Sequence, residues 1–154
     1  MKILRFVLFV LITTFVASHA QPSEWVYMGT DDVIGIQWSC DLETLTESPQ
    51  GIMKVWVLKE YSEEVRTKEM QWRMNEGLGL KGYERLSHSF SLCEVNCTSH
   101  EYRLMQIFYH TADGQVIYSH DYQRQPAEGW RRAPPGTIAD KLHETLCPPE
   151  EMKQ

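Results

Sequence analysis

Histidine and cysteine are the residue types in this chain best able to bind a metal or to supply a nucleophile. Five histidines follow the first twenty residues: His88, His100, His110, His120 and His143. Histidines that bind a metal recur at short, fixed spacings, and these five show no such pairing. We therefore expect no metal and no cofactor, and we predict that the protein is not an enzyme.

Four cysteines offer a second kind of chemistry: Cys40, Cys93, Cys97 and Cys147. Cys93 and Cys97 have three residues between them, which is too loose for the Cys-x-x-Cys motif of dithiol oxidoreductases. Catalysis by cysteine is therefore not expected. In an exported protein disulfides are the default, so four cysteines indicate two bridges whose connectivity the spacing leaves open.

Aromatic side chains are the remaining candidates, because tyrosine and tryptophan are enriched at the centres of binding interfaces. The candidate binding surface consists of Tyr102, Tyr109, Tyr118, Tyr122 and Trp72. In the alternative interpretation the tyrosines are ordinary cross-strand pairs of a sheet, and Trp72 belongs to a solvated, charged segment.

A β-hairpin is predicted to carry these tyrosines. Two aromatic and aliphatic runs, residues 102–109 and 116–122, flank Asp113-Gly114, a dipeptide suited to a two-residue turn with positive φ at both positions. Because apolar side chains lie on both faces of the hairpin, we predict that the hairpin lies inside the sheet and not at a polar edge. The expected register sets Tyr109 opposite Tyr118, Ile107 opposite His120, and Phe108 opposite Ser119.

Further strands are predicted before the hairpin. Residues 24–28 and 33–40 form short strands, residues 41–51 a polar loop, and residues 52–60 a central strand rich in β-branched side chains. Residues 83–95 alternate regularly and predict a half-solvated antiparallel strand. Its two faces carry Leu86, His88, Phe90 and Leu92 on one side, and Ser87, Ser89 and Ser91 on the other.

Two helices complete the predicted elements. Residues 61–82 begin with a capping pattern at Ser62, which favours a short surface helix, although apolar residues at every second position also fit a strand. Near the C-terminus, Thr137 is a suitable N-cap with Asp140 three residues later. The apolar stripe that follows is too short to be stable alone, so this helix must pack on the sheet.

The first twenty residues resemble a cleavable secretory signal, with a basic start, an apolar run over residues 6–16 and small residues at 18 and 20, the two positions that a signal peptidase reads. No cysteine lies near the cleavage point, so we expect an exported protein, periplasmic or secreted, without a lipoprotein anchor. Residues 21–154 have an ordinary length for a single domain. They hold 13 basic and 21 acidic residues, a formal charge of −8, which argues against nucleic acid as a partner.

Four motifs together resemble the surface-adhesin protein E family of Gram-negative bacteria. They are the strand at 54–57, the Asn96-Cys97 entry into Arg103-Leu104, the turn over 109–114 leading to Val116-Ile117, and Trp130 with Pro134-Pro135-Gly136-Thr137-Ile138, ending at Cys147. The resemblance spans residues 25–147. It implies an α+β fold, in which an antiparallel sheet of about five to six strands carries a C-terminal helix tethered across one face by a Cys97–Cys147 disulfide.

Cys40 and Cys93 lie outside the family pattern, and by elimination we predict that they pair. Otherwise each is a buried free thiol. Pairing requires their two strands to be neighbours.

The resemblance implies a non-enzymatic exported binding module that uses the sheet surface left open by the helix. Its partner would be an unknown protein, either of the extracellular matrix or of the periplasm. The alternative is a periplasmic inhibitor or envelope-stress protein that acts on a periplasmic enzyme through its acidic surface and the segment 61–82.

Overall fold

The computed structural model describes residues 24–31, 35–124 and 129–147. The predicted signal peptide lies outside these residues, as does most of the loop predicted between the hairpin and Trp130. Within the described part of the chain, no helix has the length and apolar character needed to cross a membrane.

Seven antiparallel strands form one sheet, and two α-helices accompany it. The strands follow one another in space as they do in sequence from β1 to β6, and β7 pairs with the start of β5. Their bounds are β1 Trp25–Thr30, β2 Gln37–Glu47, β3 Ile52–Glu60, β4 Leu86–Asn96, β5 Glu101–Thr111, β6 Val116–Asp121 and β7 Arg131–Arg132; the helices are α1 Glu63–Asn75 and α2 Ile138–Leu146.

The predicted α+β fold is confirmed, since α2 packs on one face of this sheet. We call that side the helical face. Its core consists of Cys40, Val55, Val57 and Val95 from the strands, with Leu142 and Leu146 from α2. The central strand is also confirmed: β3 has the predicted ends, and Val55 and Val57 are at most 1% exposed. Because side chains alternate along a strand with a period of two, Val55 and Val57 both lie under α2.

The polar segment 41–51 was wrongly predicted as a loop, because β2 continues to Glu47. The pairing with β3 is interrupted between Asp41 and Thr46 and then resumes. Inside this irregularity, Asp41 Oδ1 accepts a hydrogen bond from Glu43 N, and Thr44 Oγ1 donates to Asp41 O. Local side-chain bonds thus satisfy the backbone where the ladder does not, and the turn is confined to residues 48–51.

The serines of β4 lie on its more buried side, which the alternation alone did not indicate. Ser89 and Ser91 are 0% and 2% exposed. They lie opposite Lys59 and Val57 of β3, on the helical face, whereas Phe90 and Leu92 are only half-buried on the other face. The buried hydroxyl of Ser89 is hydrogen-bonded to that of Tyr61.

The register of the β5–β6 hairpin is confirmed at all three predicted pairs. The predicted two-residue turn is wrong. Thr111 N donates a hydrogen bond to Gln115 O. Only Gly114 of the Asp113-Gly114 pair has a positive φ, +82°. This arrangement is a three-residue loop with a bulge. The hairpin is also not inside the sheet, because β6 forms one of its edges.

Both predicted helices begin at their predicted caps. Ser62 Oγ accepts from Val65 N at the start of α1, so the alternative that this segment is a strand is excluded. Thr137 Oγ1 accepts from Asp140 N at the start of α2. Each bond satisfies one backbone N–H that a helix start otherwise leaves without a partner.

The Cys97–Cys147 disulfide is confirmed, with the Cα atoms 5.4 Å apart. The predicted Cys40–Cys93 pair is wrong, and both residues are free thiols. Cys40 lies opposite Val57, and Cys93 lies opposite Val55. The strand β3 therefore separates them by two strand spacings, roughly 10 Å, which is beyond the reach of a disulfide.

Candidate functional site

The predicted tyrosines occupy two different regions of the helical face. Tyr102 packs against the core cluster beneath α2. Tyr109 lies further along β5, where its ring is 6.0 Å from Tyr118 and 5.8 Å from Tyr83. Tyr122 follows β6, with its ring 4.3 Å from that of His120. The structure thus brings Tyr109 and Tyr118 together and leaves Tyr102 near the helix.

The tyrosine cluster around Tyr109 is partly buried and uncharged. Tyr61 adds a fourth ring, 6.3 Å from that of Tyr109, and its hydroxyl is hydrogen-bonded to Ser89. Burial raises the pKa of Tyr61 to about 12, and it also raises the pKa of Tyr109. These hydroxyls therefore stay protonated at physiological pH. The cluster forms an apolar support under Tyr118, which is itself 42% exposed.

Exposed apolar side chains lie on β6 and near the end of α1, and also at Tyr27 of β1 and Leu42 of β2. Val116 and Tyr118 of β6 are 51% and 42% exposed, and Trp72 of α1 is 51% exposed. Contacts connect α1 with β6. The Arg73 guanidinium lies 3.7 Å from the centre of the Tyr83 ring, and Gly82 packs directly against Ile117.

A cavity of about 340 Å³ lies between α2 and the helical face, and a second of about 240 Å³ adjoins it. Trp38, Cys93 and Tyr102 line both. Lys59 and Ser91 line the second cavity, which sequence reasoning missed. A signal was present: Lys59 follows Val55 and Val57 with a period of two, so a charged side chain stands in line with the core.

The free thiol of Cys93 is held in its protonated form. Desolvation raises its pKa to about 11, although the ammonium of Lys59 acts in the opposite direction. A thiol that carries so little thiolate at neutral pH is a poor nucleophile. Cys93 therefore acts as an apolar residue in the lining of both cavities.

Four of the five histidines in the described residues form two pairs, and His120 packs with Tyr118 and Tyr122 instead. His100 and His143 have ring centres 3.8 Å apart, and His100 Nε2 lies 2.8 Å from Asp140 Oδ1. His88 and His110 stack on the opposite face of the sheet, 5.2 Å apart. Among the residues that the structure describes, no three histidine, cysteine or acidic side chains are grouped so as to hold a metal. The first pair instead attaches α2 to the turn that contains Cys97.

A comparison with known families places these features in context. The family model described as Surface-adhesin protein E matches residues 25–148, which is most of the chain. Searches of curated proteins and of solved structures gave no match.

Proposed function

Because this chain belongs to the surface-adhesin protein E family, we propose that it is an exported, non-enzymatic binding module whose partner is a protein. The partner binds along the outer edge of β6 and contacts Tyr118. Export depends on the signal sequence in residues 1–20, and residues 21–154 act as one domain.

The observation that carries this proposal is the open edge of β6. Among the described strands, β6 pairs only with β5, so its other side presents backbone N–H and C=O groups to solvent. Such an edge is a template for an added strand. The sequence of β6, VIYSHD, has neither the lysine nor the proline that commonly blocks an edge.

The opposite edge of the sheet is less suitable. Along β1 the pairing with β2 shifts register between Tyr27 and Gly29. The α2 helix also approaches here, because a Cβ atom on Gly29 would lie 2.9 Å from Lys141 Nζ. The β5–β6 pairing also shifts register, between Tyr109 and His110, so the helix that approaches β1 is the feature that distinguishes the two edges.

Tyr118 is suited to anchor a partner. Its ring packs on Tyr109, which is itself fixed by Tyr61 and Tyr83. A large aromatic side chain that is already held in place loses little conformational entropy on binding. Val116 does not share this face, because it pairs with His110 across the register shift between Tyr109 and His110.

The alternative of an enzyme inhibitor acting through α1 has less support. Two of the acidic side chains on that helix, Glu64 and Glu69, form ion pairs with Lys68 and Arg73. These pairs reduce the negative charge that α1 can present to a basic enzyme.

Photo-crosslinking in the native cell tests the proposal. The photoreactive residue p-benzoylphenylalanine replaces Tyr118 in one variant and Tyr27 in a control, because Tyr27 is the 61%-exposed tyrosine of the opposite edge strand. We expect crosslinking to a distinct protein from position 118 and not from position 27. Equal crosslinking from both positions, or none from 118, would contradict the proposal.

A second pair of variants tests the role of the edge itself. Tyr118→Lys places a charge where the partner strand would lie and should abolish capture of the crosslinked protein in a pull-down. Tyr27→Lys should leave capture unchanged, and both variants should keep the far-ultraviolet circular dichroism of the original protein.

A further inference from the structure

The two adjoining cavities differ in character, and only the larger is lined by residues of α2. The larger is bounded mainly by apolar residues, including Met28, Val57, Ile138 and Leu142, and Asp31 also contributes to its wall. Its volume of about 340 Å³ is at the small end of the range for ligand pockets. It suits one slender apolar chain.

The smaller cavity contains a cation in an unusual setting. Lys59 is half-buried, and no described carboxylate lies within 4.0 Å of its Nζ atom. Its ammonium lies 4.3 Å from the centre of the Trp38 ring. Loss of solvent lowers the pKa of Lys59, as expected for a desolvated ammonium.

Two further polar groups in the wall of this cavity lack partners. Trp38 Nε1 and Ser91 Oγ are buried and form no hydrogen bond with the described residues, and Ser91 is only 2% exposed. Unpartnered buried polar atoms each cost about 1–3 kcal/mol. Lys59, Trp38 and Ser91 thus line one small space with more donors than acceptors.

We propose that the joined cavities bind an aliphatic monocarboxylate, with its chain under α2 and its carboxylate beside Lys59. The charge of Glu69 acts on Lys59, but Glu69 forms its ion pair with Arg73. A bound anion therefore adds a counter-charge directly at Lys59, and its oxygens can accept hydrogen bonds. A small inorganic anion would leave the apolar cavity unfilled, whereas a cationic amphiphile would bring a second positive charge to Lys59. This site is distinct from the β6 edge.

The protein is titrated with decanoate, with decanol as a neutral ligand of equal length and with acetate as an anion that lacks the chain. The Trp38 indole N–H signal in a ¹H–¹⁵N spectrum, assigned through Trp38→Phe, reports occupation. We expect saturable binding of decanoate, at least about tenfold tighter than decanol, since a charged partner strengthens a hydrogen bond. Acetate should bind far more weakly than decanoate.

Two variants separate the charge from the cavity. Lys59→Met should weaken decanoate binding about tenfold or more while leaving decanol unaffected. Lys54→Met on the same strand is the matched control, because Lys54 pairs with Glu94 on the other face. This control variant should bind decanoate as tightly as the unsubstituted protein does. Ala139→Phe should fill the larger cavity and abolish binding of both ligands.

Decanoate that fails to shift the Trp38 signal, or that binds no better than decanol, would overturn the proposal. So would unchanged binding in a folded Lys59→Met variant. Circular dichroism confirms folding in each case. Because none of these ligands contacts β6, neither result alters the crosslinking prediction for Tyr118.

Discussion

Cys97 and Cys147 join the turn between β4 and β5 to the end of α2, across 50 residues of sequence. The bond fixes the helix over the core, where Leu142 and Leu146 are each 4% exposed. The double variant Cys97→Ser/Cys147→Ser should therefore lose about 4 kcal/mol of unfolding free energy by the loop-closure argument. Urea unfolding measures this loss.

The comparison must be made with the original protein under non-reducing conditions. A loss below about 1 kcal/mol would contradict the loop-closure argument. Faster amide exchange in α2 than in β3 of the double variant would show that the helix is the element released.

Asp140 should contribute to stability in a pH-dependent manner. Hydrogen bonds from Gly136 N and then His100 lower the pKa of Asp140 below its ordinary value of 3.8. Its contribution is present above pH 3.8 and is lost as the pH falls through the lower, folded-state pKa. Asp140→Asn should thus destabilise the protein at neutral pH and have little effect near pH 2, as measured by thermal unfolding. An equal effect at both pH values would contradict this account.

Glu94 lies between two cations on the face opposite α2. It is 7% exposed and forms ion pairs with Lys54 at 3.1 Å and with Arg103 at 2.6 Å. Arg103→Met leaves a buried carboxylate short of a partner, whereas Glu94→Gln leaves two cations that can reach water. We expect Arg103→Met to cost about 3 kcal/mol and Glu94→Gln less, with chemical denaturation as the measurement. The reverse order would contradict the argument.

Cys93 should react slowly with alkylating reagents. Its pKa of about 11 means that little thiolate exists at pH 8, and the rate should keep rising about tenfold per pH unit towards pH 10. The Cys40→Ala variant isolates Cys93 for this measurement by mass spectrometry, with a short cysteine peptide as the control. A rate that levels off near pH 9, as for an ordinary thiol, would contradict the raised pKa.

Sequence patterns correctly predicted the features that depend on residues close together in the chain. The ends of β3, the register about Asp113-Gly114, and the caps at Ser62 and Thr137 depend on residues close in sequence. The continuation of β2 from Asp41 to Glu47 was missed, because side-chain bonds of Asp41 and Thr44 allow a polar segment to remain in the sheet.

Long-range pairing explains the remaining errors. Cys40 and Cys93 were matched by elimination, yet the intervening β3 holds them apart, and only the strand order reveals this. The same order makes β6 an edge and places Lys59 opposite Ser89. The cavities depend on where α2 lies over the strands, which no short stretch of sequence encodes.

Amide hydrogen exchange on the complex with the crosslinked partner tests most directly whether β6 is the binding edge. We predict that backbone amides of β6 gain protection on binding, while those of β1 exchange as in the free protein. Protection confined to β1, or to the surface of α2, with β6 unchanged would contradict the account.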